Sequence, residues 1–127
     1  MSGNNLVCEA ELTDKILKLK QGLASVGASN FKHTKDLSRA FNDRGFYHYQ
    51  MVDFYLAIQD YSEAIALDPN FEIAFYNRGL VRYRLGFYSG SRDDLDKCLL
   101  INPQFIEAGL ALTQVLEDIK EGRTFGQ

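Results

Sequence analysis

Apolar residues recur along this chain at helical spacing, in blocks separated by short polar or proline-marked breaks. Over residues 7–26 the stripe Leu12, Ile16, Leu19, Leu23, Val26 advances by four, three, four and three, which keeps one face of a helix. Glu9 and Glu11 at its start and Lys15, Lys18 and Lys20 farther on suit the helix dipole, and Asp14 with Lys18 makes an i, i+4 pair. Residues 27–36 carry no period and read as a polar loop. A helix follows over 37–51, with Phe41, Gly45 and His48 on one side, and Asp53 is placed to cap a second helix whose inward face is Phe54, Ala57, Ile58, Tyr61, Ala64 and Ile65. Pro69 stops it.

The next block repeats the plan. Pro69 and Pro103 are 34 residues apart, and Asp68-Pro69-Asn70-Phe71 is echoed by Asn102-Pro103-Gln104-Phe105. The same offset pairs Phe41 with Phe75, Arg44 with Arg78, Gly45 with Gly79, Ala57 with Ser91, Tyr61 with Leu95 and Ala64 with Cys98. Glu72 to Leu85 forms the first helix of this second block, and Gly86 stands where a left-handed C-cap is wanted. Its partner helix is weakened by Gly90, and Ser91 with Asp94 could cap a late start. After Pro103 the spacing Phe105, Ala108, Leu112, Val115, Ile119 describes one last amphipathic helix, ending near Glu121 and Gly122. Small residues at Gly45 or Gly79 against Ala57 or Ser91 let the two helices of each block approach closely.

A 34-residue helix–turn–helix repeat with this aromatic, glycine and proline register resembles the tetratricopeptide-repeat family over residues 38–103, with a closing helix beyond. The departures are Arg44 and Arg78 in place of the pattern's leucine, His48 and Arg82 in place of its tyrosine, and Ser91 in place of its alanine. The expected architecture is a single all-α solenoid of about six helices over 1–127: a degenerate N-terminal helix (7–26), a loop (27–36), two repeats (37–69 and 71–103) and a capping helix (105–121). The N-terminal stripe either caps the first hairpin within one molecule or pairs with a second chain.

The resemblance implies a concave groove lined by the first helix of each pair, the usual peptide site of the family. Mapped by the repeat, its expected binding residues are Arg39, Asp43, Phe46, Tyr49, Tyr76, Asn77, Leu80, Tyr83 and Arg84, with Asn42, Gln50, Ile73, Glu107, Leu110 and Gln114 beside them. An asparagine can donate to and accept from an extended peptide backbone, and tyrosine offers flat apolar area with a polar tip. The bland alternative is an ordinary solvated surface. Some members hold chaperone C-termini with a carboxylate clamp of lysines, arginine and asparagines. Here only Asn77 sits at such a position; Asp43, Glu107 and Ala111 occupy others, so a carboxylate tail is expected to be repelled.

Composition narrows the function. Fourteen Lys plus Arg against seventeen Asp plus Glu gives a net charge of −3, which argues against phosphate-backbone binding and hence against nucleic acid. No run approaches the ~18 consecutive apolar residues of a membrane span, and the start lacks signal-peptide regions. A protein of the cytosol or nucleus is expected. Cys8 and Cys98 are too few for a disulfide framework and sit in no metal spacing, so no cofactor or metal is expected. Gly22 to Ser29 has phosphate-loop spacing, but Ala28 replaces the lysine and a helix precedes it. His33 and His48 belong to no ligand spacing, with His48 read as a packed ring.

Arg44, Arg78 and Arg82 fall on faces that pack and need partners, with Asp60, Asp93 and Asp94 as candidates. The reading is a non-catalytic interaction module, a monomer or weak homodimer, that binds a peptide segment of a partner protein. A structural subunit docking through its terminal helices is the alternative.

Overall fold

The computed structural model describes residues 8–26 and 31–122. Among the described residues the chain forms six helices, three in each of two compact units, Met1–Pro69 and Asn70–Gln127.

Unit 1 contains α1 (Glu9–Val26), α2 (Phe31–Gln50) and α3 (Phe54–Leu67). The start of α1 is tied by the Cys8 amide donating to Glu11 Oε1 at 3.2 Å, half of a capping box, and Lys18 meets Asp14 at 3.0 Å as the spacing predicts. Leu12 and Ile16 are buried and Leu19 and Leu23 half-buried, so the apolar stripe is spent on α2 within the chain. The side chain of Val26, the fifth member, lies outside the described residues. Between α2 and α3 the core is Leu37, Ala40, Phe41, Ala57, Tyr61 and Ala64. The Ser38 hydroxyl ties the pair by donating to the Ala64 carbonyl at 2.7 Å.

The expected loop over 27–36 is corrected in its second half, since α2 begins at Phe31. Lys32 bonds Asp36 one turn on at 2.9 Å, Lys35 lies over the Phe31 ring at 5.0 Å, and a Cβ at Gly22 of α1 would meet His33 at 3.2 Å. Local pairs and a close backbone approach hold this turn, so no apolar period announces it. His33 is therefore on a helix. Residues 27–30, and with them Ala28 of the phosphate-loop look-alike, lie outside the described residues.

Unit 2 contains α4 (Glu72–Arg84), α5 (Tyr88–Ile101) and α6 (Ile106–Lys120), built around Ala74, Phe75, Val81, Leu95, Cys98, Ala108 and Val115. Burial pushes the Cys98 thiol up to about 11, so it behaves as a small apolar side chain. Helix α5 starts at Tyr88, and the late start expected from Ser91 and Asp94 is corrected. Both side chains are drawn off by α4: the Ser91 hydroxyl donates to the Gly79 carbonyl at 2.8 Å, and Asp94 accepts from arginine. Gly90 leaves room for Arg82, whose Cδ would stand 3.2 Å from a Cβ there. Asp53 occupies the N-cap of α3 but makes no side-chain cap bond.

The helix contacts are close where the repeat puts glycine, with one change of partner. A Cβ at Gly45 would lie 2.7 Å from the Tyr61 ring, and at Gly79 it would lie 3.2 Å from Leu95. Ala57, the expected neighbour of Gly45, is fully buried, yet the atoms nearest that glycine belong to Tyr61.

Candidate functional site

Each hairpin is closed on its inner side by an arginine–aspartate bridge between its two helices. Arg44 of α2 donates through Nε and Nη2 to both oxygens of Asp60 on α3, each at 2.8 Å, and through Nη1 to Thr13 of α1 at 3.1 Å. That fork, together with the Asp60 charge, outweighs desolvation and raises the guanidinium above its ordinary value. Thirty-four residues on, Arg78 makes the same fork on Asp94 at 2.9 and 2.8 Å, and Arg82 adds a bond at 2.9 Å. Each of the two forked guanidiniums also lies over the phenylalanine one turn earlier, Arg44 on Phe41 and Arg78 on Phe75. Asp93, the third candidate partner, is exposed and faces Arg92 at 3.6 Å. His48 is a packed ring whose Nε2 lies 3.5 Å from both Glu9 and Asp60. These groups are structural.

In unit 1 the other side of α2 carries Arg39, Asp43, Phe46 and Gln50 exposed, with Asn42 and Tyr49 half-buried. Phe46 stacks on Tyr49 with ring centroids 6.3 Å apart, and Tyr49 leans on Phe54 at 5.7 Å, so an aromatic run continues from α2 to the start of α3. Arg39 and Asp43 open on a recess of about 360 Å³, shared with Lys15 and Leu19 of α1 and with Asp36. Hydrogen bonding from Lys32 holds the Asp36 carboxyl below the usual range. Asp43 is pushed the other way: burial on the recess side raises it, against the pull of Lys15 and Arg39, although the residue as a whole stays exposed. A second recess, of about 510 Å³, is lined by Lys20, Phe41, Arg44, Ile58, Gln59, Ser62 and Glu63, and the repeat pattern gave no sign of it.

In unit 2 the corresponding side of α4 carries Ile73 and Arg84 exposed and Tyr76, Asn77, Leu80 and Tyr83 half-buried. The two tyrosines are engaged. Tyr76 lies on Phe105 at 4.8 Å; the Tyr83 ring stacks on Tyr88 at 5.2 Å, and its hydroxyl donates to Asp118 Oδ2 at 2.5 Å. Asp118 is a buried acid on α6, reached also by the Gln114 amide at 3.3 Å. Sequence reasoning missed it. Its signal was an acid between Val115 and Ile119 on an inward stripe, which demands a donor. Glu107 and Leu110 of α6 are exposed, as is Gln114.

Among the described residues no helix is long and apolar enough to cross a membrane, and no three His, Cys, Asp or Glu gather to hold a metal ion.

Comparison with known proteins agrees with the repeat geometry. A family model described as TPR repeat matches residues 53–86. The Caenorhabditis elegans stress-induced-phosphoprotein 1 is 24% identical over 99 residues, 78% of this chain and 31% of that protein. A tetratricopeptide repeat and J domain-containing co-chaperone of Cryptococcus neoformans is 35% identical over 66 residues, 52% of this chain and 12% of that protein. The chain thus spans less than a third of either relative. Among solved structures, the first TPR domain of Spaghetti (RPAP3), bound to the HSP90 peptide SRMEEVD, matches with a TM-score of 0.64 at 19% identity, over 84% of this chain and 94% of that one.

Proposed function

We propose that this chain, which belongs to the tetratricopeptide-repeat family, is a non-catalytic interaction module for a peptide segment of a partner protein, unit 1 offering the side of α2, and unit 2 the side of α4, that is turned away from the hairpin partner. The observation that carries this is the division of labour on α2. Its arginine is locked inward on Asp60, while Phe46, at 47% exposed, shares the outer side with Arg39, Asp43 and the half-buried Tyr49. A half-open aromatic pair beside a charged recess gives a peptide apolar area at low entropic cost and polar groups to set its register.

Tyr83 and Tyr76 contribute shape more than free hydroxyls. The polar contacts on α4 come from Asn77 and Arg84, with Leu80 beside them. An acidic carboxyl tail fits poorly, because Asp43 puts a negative charge where a clamp has asparagine, and Glu107 and Ala111 stand where it has lysine and arginine. A calorimetric titration of the SRMEEVD peptide into this chain is expected to give no binding heat in the micromolar range.

The positive test is panning of a random peptide display library on the intact protein. Enriched peptides should bind the natural sequence and lose binding to a Phe46→Ala, Arg84→Ala variant that keeps its helical circular dichroism. Equal binding to the variant would remove this reading. A second reading, assembly through the terminal helices, draws on α6, where Ile106 and Leu110 are 72% and 68% exposed. Concentration-dependent sedimentation that Leu110→Glu abolishes would favour it.

A further inference from the structure

Helix α6 repeats α4 as a first helix, and the register shows which of its sides a second helix would cover. On α4, Arg78, Gly79 and Arg82 face α5, with Phe75 buried one turn before them. Thirty-four residues on from these four stand Leu112, Thr113, Leu116 and Gly109. The α4 side is closed by α5, whereas the α6 side is open. A Cβ at Gly109 would meet nothing within 4 Å, Thr113 is exposed, and Leu116 is 46% exposed.

This side has also lost its charges. Leu112 and Leu116 replace the two arginines, and no charged residue stands between Glu107 and Glu117. The Thr113 hydroxyl donates to the Gly109 carbonyl at 3.0 Å, so its polar atom is already bonded. The two hairpins show how a glycine on a first helix is used. Gly45 receives the Tyr61 ring and Gly79 the Leu95 side chain, each a large residue of the antiparallel neighbour. Helix α6 carries such a residue itself. Leu116 lies seven positions from Gly109, about two turns along the same side.

We infer that two copies of this chain pair through α6, antiparallel, with Leu116 of each seated over Gly109 of the other. A knob and a hole on one surface suit a two-fold axis: set between Leu112 and Thr113, it brings Leu116 onto Gly109 twice and Leu112 onto Thr113 twice. This deepens the assembly reading above, on which it rests, and moves the contact from Leu110 to the side that a second helix covers in both hairpins. One helix pair buries less than the ~1,200 Å² of a stable specific interface, so the dimer is weak and forms at high protein concentration.

The test is sedimentation equilibrium of the full chain over a concentration series, with circular dichroism melts beside it. The natural chain should pass from monomer to dimer and no further, because a two-fold contact closes on itself. Leu116→Ala should weaken the dimer about a hundredfold, since each dimer buries two of these side chains. Gly109→Leu should abolish it while the melting temperature holds or rises, because the position is open and leucine is the better helix former. The double variant Gly109→Leu, Leu116→Ala, in which knob and hole exchange places, should dimerise again. A monomer at every concentration would overturn this inference together with the assembly reading. A dimer abolished by Leu110→Glu but untouched by Gly109→Leu, growth into higher oligomers, or a double variant that stays monomeric would overturn the pairing alone.

Discussion

Asp94 accepts from two guanidiniums while only 3% exposed, and so it holds more of unit 2 together than any surface charge does. Removing one side of a buried, hydrogen-bonded pair costs about 3–5 kcal/mol, because the remaining charge has been taken out of water. Asp94→Ala should lose that much in urea unfolding, whereas Asp93→Ala, exposed beside Arg92, should stay within about 0.5 kcal/mol. Equal effects would contradict the assignment. Glycine makes the second residue-scale prediction. At Gly45 an added methyl strikes the fully buried Tyr61 ring at 2.7 Å, whereas at Gly79 it meets Leu95 at 3.2 Å. Alanine adds up to about 1 kcal/mol of helix propensity at either site, but overpacking costs about 1–3 kcal/mol. Thermal melts should therefore find Gly45→Ala the less stable of the two, and the reverse order would count against the packing described. The need for arginine partners was legible in the sequence, because a charge on an inward face must be neutralised. The choice of Asp94 over Asp93 was less so, since adjacent residues differ by about 100° around a helix and only the packed register separates them.

At the scale of elements, the stripe on α1 was legible and its use is internal. Leu12 and Ile16 pack on α2, Thr13 accepts from Arg44, and Glu9 approaches His48. Burial of each of those two apolar side chains is worth roughly 1.5–3 kcal/mol. Deleting residues 1–26 should lower the melting temperature and drive self-association through the bared α2 surface, as read by thermal denaturation and light scattering. A monomer of unchanged stability would show that α1 does not cap this unit. Two boundaries were not legible. The first turns of α2 are built from polar i, i+4 pairs and carry no apolar period, and α5 tolerates Gly90 because the gap it leaves is filled by Arg82. In α5 tertiary contact overrides the local signal, whereas the start of α2 rests on local pairs that an apolar period does not register.

For the molecule as a whole, the 34-residue period was enough to give the fold, since each repeat states its own helices, turn and small-residue contacts twice. The candidate site was less readable. Register places Tyr76 and Tyr83 on the outer side of α4, yet register cannot show that Phe105 and Asp118 from α6 engage them. It also places Phe46 and Arg84, which are exposed. The central claim is that the outer sides of α2 and α4 take a peptide, and amide chemical-shift mapping tests it most directly. A library-selected peptide is titrated into the intact, ¹⁵N-labelled protein. The account predicts shifts concentrated at Arg39, Asp43, Phe46 and Tyr49 of α2 and at Asn77, Leu80 and Arg84 of α4, with α3 and α5 largely unmoved. Saturable shifts confined to other surfaces, with those seven residues unmoved, would contradict it.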